Sequence, residues 1–174
     1  MGRTKALVEV EGVPMAARVV AALRSAGCVS VIACGGDPDE LAPLGIPVLP
    51  DRYPGSGPLG GVLGLLESFS DTKPDAAVFA VACDLPALTG SELVRMVDAL
   101  REHPDADVVV ARTSAIEPVC AIWRRSSTER LRQIFDAGER ALNRAITHLD
   151  RVEVDIDAAA LRNINTPTEL GRYP

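Results

Sequence analysis

Asp84 ends an apolar run. Ala76 to Cys83 reads Ala-Ala-Val-Phe-Ala-Val-Ala-Cys, and Leu85-Pro86 follows the acid. An unbroken apolar run bounded by turn residues predicts a strand buried on both faces, as in the middle of a parallel sheet. Open α/β sheets take ligands at the carboxyl ends of such strands. A partly buried carboxylate is costly unless it is paired or holds a metal ion. Asp84 therefore reads either as a metal ligand or as the cap of a turn before proline, and the strand alone leaves both open. Two further stretches could do chemistry. Tyr53 to Gly61 holds four glycines, Gly57 among them, and two prolines, and leads into an apolar stripe at helical spacing. A glycine loop entering a helix N-terminus can receive an anion on its backbone N–H groups. Taken alone, it is more simply a tight connection that needs small residues. Finally, Asn163 and Asn165 precede Thr166-Pro167-Thr168-Glu169, the spacing of a helix start with a capping box. Their amides would sit near a helix N-terminus.

Elements that could position these residues follow from periodicity. Ala6 to Val10 reads as a short extended piece, with a turn at Glu11-Gly12. Pro14 suits a first helical position, and Met15, Val19 and Leu23 form one helix face closed by Gly27. Short strands are expected at Ser30–Ala33 and at 47–49. The stripe Leu59, Val62, Leu63, Leu66 and Phe69 predicts a helix after the glycine loop. Thr89 and Glu92 have capping-box spacing ahead of Leu93, Met96, Val97 and Leu100, and Ser126 and Glu129 repeat that spacing ahead of Leu131, Ile134 and Phe135. Strands at 107–111 and 119–123 lie close enough to form a hairpin-like antiparallel pair. A helix bearing Leu142, Ile146 and Leu149 and a strand at 152–154 complete the alternation. Strand–helix alternation over this length predicts a three-layer α/β/α domain of Rossmann-like type with a mostly parallel, mixed sheet.

Composition narrows the function. With 174 residues, 47% of them hydrophobic, the chain can form one domain with one core. No run approaches the roughly 18 apolar residues of a membrane span, and no basic-then-apolar leader opens the sequence. A cytoplasmic protein is the expectation. Net charge −6 argues against a nucleic-acid partner, which would need a basic face. Cys28, Cys34, Cys83 and Cys120 lack close-pair metal spacing and read as reduced thiols. His103 and His148 follow or end helices and read as solvated caps.

Several of these pieces together resemble one family. Met-Gly-Arg-Thr-Lys5 is similar to the tail of the glycine-rich signature of nucleotidyltransferases. Gly57-Pro-Leu-Gly-Gly61, Cys83-Asp-Leu-Pro86 and Asn163-Ile-Asn-Thr-Pro-Thr-Glu-Leu170 resemble, in order, motifs of the molybdenum cofactor guanylyltransferases. Glu117-Pro118 and Gly138-Glu-Arg140 have counterparts as well. The resemblance spans nearly the whole chain and implies a single nucleotidyltransferase domain, 1–174, of the nucleotide-diphospho-sugar transferase type. It implies GMP transfer from GTP to a molybdopterin-type cofactor, with Mg²⁺ and with release of pyrophosphate. Transient contact with cofactor-accepting enzymes goes with that role. Carried over by position, Lys5 would meet the nucleotide phosphates and act with Asp84 in catalysis. Asp84 would also hold the metal. Asp51 and Gly57 would contact the nucleotide, and Asn163 and Asn165 would lie near the pterin.

Two departures from the family pattern matter. Cys34 stands where some relatives carry asparagine near the nucleotide, which shifts guanine contacts toward backbone groups. The family's first strand and most of its glycine loop would precede Met1, so the amino terminus reads as truncated. Two other functions stay open at this point: cytidylyl or other nucleotidyl transfer to a small phosphate substrate, and a non-catalytic relative that only binds cofactor.

Overall fold

The computed structural model describes residues 5–69 and 76–164. The chain opens with a hairpin, β1 (Glu9–Val10) against β2 (Val13–Pro14). Its two turn residues, Glu11 and Gly12, both have positive φ, 53° and 77°. That is the mirror-image turn whose twist suits a two-residue hairpin. Helix α1 (Met15–Ser25) buries Met15, Val19 and Leu23 as their spacing predicts. It ends at Gly27, φ 94°, where Gly27 N–H donates to the Arg24 carbonyl and Cys28 N–H to the Leu23 carbonyl. This pairing closes a helix through a left-handed glycine.

Two short strands follow, β3 (Ala33–Cys34) and β4 (Val48–Leu49), paired in parallel around α2 (Pro38–Leu41). Helix α3 (Gly57–Ser68) begins earlier than expected: Gly57 to Gly61 is its first turn and not a loop. Pro58 fits that turn because it lacks an N–H to leave unsatisfied. Leu59 is fully buried beneath it.

The main sheet has four strands in the order β5 (Ala77–Val81), β7 (Ile116–Arg124), β6 (Val108–Arg112), β8 (Arg151–Asp155). It is mixed: β7 runs antiparallel to both neighbours, and β6 and β8 are parallel. The hairpin-like pair expected from the sequence is β6 with β7. Alternate residues of these two strands face opposite layers. Val109, Ala111, Cys120 and Ile122 pack with α1 and α4 (Gly90–Glu102). Val108, Val110, Ala121 and Trp123 pack with α3, α5 (Thr128–Asp136) and α6 (Leu142–Ile146). This is the three-layer α/β/α arrangement.

Two expectations change. The apolar run ending at Asp84 does form a strand, but among the described residues β5 pairs with β7 alone and stands at the end of its sheet. Its residues are half-buried or exposed because its other edge opens on a groove. The capping box at Thr89 forms, with Thr89 N–H donating to the Glu92 carboxylate at 2.9 Å. The one at Ser126 does not. The chain there makes a 3₁₀ turn, Arg125–Ser127, in which the Ser127 hydroxyl donates to the Arg124 carbonyl, and Glu129 accepts instead from Gln133. The third box, at Thr166, lies outside the described residues.

Candidate active site

Asp84 lies just past the carboxyl end of β5, and its residue is 9% exposed. Lys5, in a 3₁₀ turn of Lys5–Leu7, forms an ion pair with Asp84 Oδ2 through its ammonium group. Asp84 Oδ1 is buried and, among the described residues, has no hydrogen-bond partner. A buried carboxylate oxygen without a partner is costly, so it marks a place for a ligand. The Asp84 main chain is engaged elsewhere: its carbonyl accepts from Ile164 N–H at 3.2 Å. Ile164 is buried with Val10 and Met15, and this anchors the stretch that carries exposed Asn163 beside Asp84. Sequence positions 5, 84 and 163 thus converge. Asn165 lies outside the described residues.

Asp51 and Gly57 belong to a second patch. Asp51 is exposed after β4, and its Oδ1 accepts from Tyr53 N–H at 2.9 Å. Its charge acts on the Cys34 thiol, which lies at the end of the neighbouring β3. Gly57 adopts φ 67° at the start of α3, the left-handed region that suits glycine, with the Arg140 carbonyl 3.7 Å from where a Cβ would stand. One groove of about 740 Å³ joins the two patches, lined by Lys5 and Cys83 at one place and by Gly35, Gly36, Pro58 and Gly61 at another.

The remaining glycines answer the question left by the sequence. A Cβ on Gly60 would fall 2.8 Å from Ser56 Cβ and 3.0 Å from Tyr53 Cβ, and one on Gly64 would fall 3.3 Å from Arg52 Cβ. These two serve packing. Gly61 has open space and faces the groove. The packing reading therefore accounts for Gly60 and Gly64, and Gly61 is not under that demand.

The sequence reading missed the group that holds this corner. Tyr53 donates its hydroxyl to Glu67 at 2.8 Å and accepts from Arg132 at 2.7 Å. Arg132 also pairs with Glu67, and the Tyr53 ring meets Phe135 at 5.0 Å. Nothing in local spacing links residues 53, 67 and 132. Glu139 also has a role that its motif does not show. Its carboxylate accepts from the backbone N–H groups of Arg140 and Ala141 at 2.8 Å each and pairs with Arg144 at 2.7 Å. The Arg144 hydrogen bond, then the two backbone donors, hold its carboxyl down at about 2. This fixes the turn whose Arg140 carbonyl faces Gly57.

The thiols near the site are not activated. Cys34 and Cys83 are exposed residues, yet the surrounding protein removes enough water from their sulfurs to raise both pKa values. The Asp51 charge adds to the effect at Cys34 and the Asp84 charge at Cys83, where Lys5 opposes it. Among the described residues no cluster of three or more His, Cys, Asp or Glu side chains could hold a metal by itself. A Mg²⁺ ion bound with a nucleotide needs less, one or two carboxylates with phosphate oxygens and waters. The partnerless Oδ1 of Asp84 fits that donor count.

The strand-end carboxylate and its lysine stand at the edge of a groove in an α/β/α sandwich, and that sandwich is a nucleotidyltransferase-like fold. Solved structures agree on the fold. Molybdopterin-guanine dinucleotide biosynthesis protein A from Archaeoglobus fulgidus superposes with a TM-score of 0.75 at 20% identity, over 99% of this chain and 89% of that one. The 2-C-methyl-D-erythritol 4-phosphate cytidylyltransferase of Thermus thermophilus gives 0.71 at 17% identity, over 97% and 91%.

Residues 1–152 match the family model of the MobA-like NTP transferase domain, and the chain belongs to that family. It is 33% identical over 174 residues to the molybdenum cofactor guanylyltransferase of Rhodobacter capsulatus, covering 99% of this chain and 87% of that protein. The enzyme of the same name from Mesorhizobium japonicum is 31% identical over 152 residues, 83% of this chain and 73% of the relative.

Proposed function

We propose that this chain transfers GMP from GTP to a molybdopterin-type cofactor. The terminal phosphate oxygen of the pterin attacks the α-phosphorus of GTP, the bond from that phosphorus to the bridging oxygen breaks, and pyrophosphate leaves. The observation that carries this reading is the Asp84 carboxylate, buried at the strand end with one oxygen on Lys5 and the other, among the described residues, without a partner.

Each residue has a task in this scheme. Asp84 is the side chain that would hold Mg²⁺. Bound there, the ion would neutralise phosphate charge and orient the phosphates for in-line displacement. Lys5 supplies a point charge to the phosphates and pairs with Asp84. Asp51 and the backbone of Gly57 take the guanine nucleotide, with α3 presenting its N-terminal N–H groups. Asn163, and Asn165 beyond it, offer amides to the pterin. Pre-positioning of both substrates supplies much of the acceleration, because little covalent chemistry is asked of the protein. The whole of 1–174 acts as one nucleotidyltransferase domain. No described helix is long and apolar enough to cross a membrane, and the free cysteines support a reducing, cytoplasmic setting. Finished cofactor would pass to acceptor enzymes by transient contact.

Pyrophosphate release with GTP, Mg²⁺ and pterin tests the proposal, with CTP run beside GTP. Asp84→Asn keeps the side-chain volume and removes the charge, and turnover should fall by at least about 10²-fold, the scale of one lost electrostatic contact to the transferring phosphate. Near-normal turnover of that variant removes the metal role. Faster turnover with CTP replaces guanylyl by cytidylyl transfer, and no pyrophosphate from either leaves a cofactor-binding protein.

A further inference from the structure

Asp84 is held in place, and the Lys5 side chain can swing. The Asp84 carbonyl accepts from Ile164 N–H at 3.2 Å, and Leu85 beside it is buried with Leu93 and Met96 of α4. The Asp84 side chain is 12% exposed. The Lys5 backbone is fixed as well. Its carbonyl accepts from Val8 N–H at 3.2 Å, and Ala6 next to it packs with Ala16 and Val20 of α1. What can move is the four-carbon stem of Lys5, whose side chain is 41% exposed. That side chain lies in the wall of the groove that joins Asp84 to the first turn of α3. It is the single charged group among the described lining residues.

Lys5 and a divalent ion compete for one carboxylate. The ammonium sits on Oδ2, and Oδ1 has no hydrogen-bond partner among the described residues. An ion arriving at Oδ1 would share the carboxylate with the ammonium, and like charges so close repel. Mg²⁺ also gives up its waters reluctantly and wants further oxygens. Among the described residues no cluster of three or more His, Cys, Asp or Glu side chains offers them. A lone carboxylate already paired with a cation is therefore a poor site for the bare ion. A triphosphate changes both sides of this competition. Its oxygens add to the coordination of the ion, and they offer the ammonium another anion.

Resting on the metal role given to Asp84, we propose that Lys5 is a gate on the metal site. Without nucleotide its ammonium occupies Asp84 and holds off divalent ions. When the nucleotide phosphates enter, the ammonium passes to them and the carboxylate is released to the ion. Metal and nucleotide affinities are thereby coupled, and the coupling is reciprocal. The gate keeps the protein from filling with metal alone, so that the ion comes with the phosphates it must neutralise.

Mn²⁺ binding to the nucleotide-free protein tests the gate, with the unbound ion measured by electron paramagnetic resonance. It needs neither GTP nor pterin, so its outcome is separate from that of the transfer assay. Lys5→Met keeps the stem and removes the charge. It should bind Mn²⁺ on the order of 10-fold more tightly than the unaltered chain, an ordinary size for coupling between two sites. Lys5→Arg keeps the charge and should bind as weakly as the unaltered chain. Adding Asp84→Asn to Lys5→Met should abolish the gain. A Lys5→Met protein no tighter than the unaltered chain overturns the gate. So does an equal gain in Lys5→Arg, or a gain that survives Asp84→Asn.

The unaltered protein gives a second readout that does not depend on how the variants fold. It has two lysines, Lys5 and Lys73. Reductive methylation with labelled formaldehyde keeps their charge and gives each an NMR signal, assigned with Lys73→Arg. Mg²⁺ alone should leave the Lys5 signal in place, and Mg²⁺ with inorganic tripolyphosphate should shift it. A Lys5 signal that moves with Mg²⁺ alone, or with neither, overturns the gate.

Discussion

Gly60 and Gly61 are adjacent in α3, and alanine should act on them with opposite sign. Both lie in helical backbone, where replacing glycine by alanine gains up to ~1 kcal/mol from backbone entropy. At Gly61 the new methyl meets nothing within 4 Å, so the gain stands. At Gly60 it would fall 2.8 Å from Ser56 Cβ and 3.0 Å from Tyr53 Cβ. Neither neighbour is the free end of a flexible chain. Tyr53 is tied to Glu67 and Arg132 and packed on Phe135, so the loop cannot yield without loosening that group. Overpacking of this kind costs ~1–3 kcal/mol, which exceeds the helix gain. The two variants should therefore differ by about 2 kcal/mol, or about 4–8 °C in Tm for a chain of this size. Thermal and urea unfolding, followed by the fluorescence of the single tryptophan, would measure it. Trp123 is fully buried, so its emission reports core opening. A Gly60→Ala protein as stable as Gly61→Ala would refute the argument that Gly60 is required for packing.

Other consequences are equally direct. Asp107 is buried, pairs with Arg130 and accepts from Asp150 N–H at 2.9 Å; Asp107→Ala strands that N–H and should cost about 1–3 kcal/mol in urea unfolding. Glu139 has a carboxyl pKa lowered to about 2, so its contribution is present above pH 4.5 and lost as pH falls from there toward 2. Glu139→Gln should flatten that part of the stability–pH curve, and an unchanged acid limb would count against the tie to Arg144. Cys120 is buried with its thiol pushed up to about 12, and Cys34 and Cys83 are exposed. Maleimide labelling of the native protein at neutral pH, read by peptide mass, should mark Cys34 and Cys83 and spare Cys120 until the chain unfolds.

Much of the fold is legible residue by residue because it depends on neighbours in sequence. The stripe Met15, Val19, Leu23 becomes the buried face of α1, and Gly27 closes it through backbone bonds within one turn. Thr89 finds Glu92 because both belong to one helix start. Ser126 shows the limit of such spacing: a 3₁₀ turn moved the helix cap by one residue, to Ser127, and Glu129 found Gln133. The site was legible in part. Asp84 at a strand end, Lys5 and Asn163 were all singled out, yet their convergence was implied by resemblance and not by any local pattern.

What the sequence by itself determined is periodic: which stretches are helix or strand, which faces are apolar, where glycine and proline stop them. Tertiary structure decided what lies opposite. Hydrophobicity records that Ala77–Val81 must be shielded from water, but not whether a strand or an open groove borders its second edge. Backbone edges carry no side-chain signature, so their pairing appears only once the strands are placed. The same holds for Asp84. That a carboxylate stands there is written in the chain; that one of its oxygens meets Lys5, while the other has no hydrogen-bond partner among the described residues, depends on residues 79 positions apart being brought together.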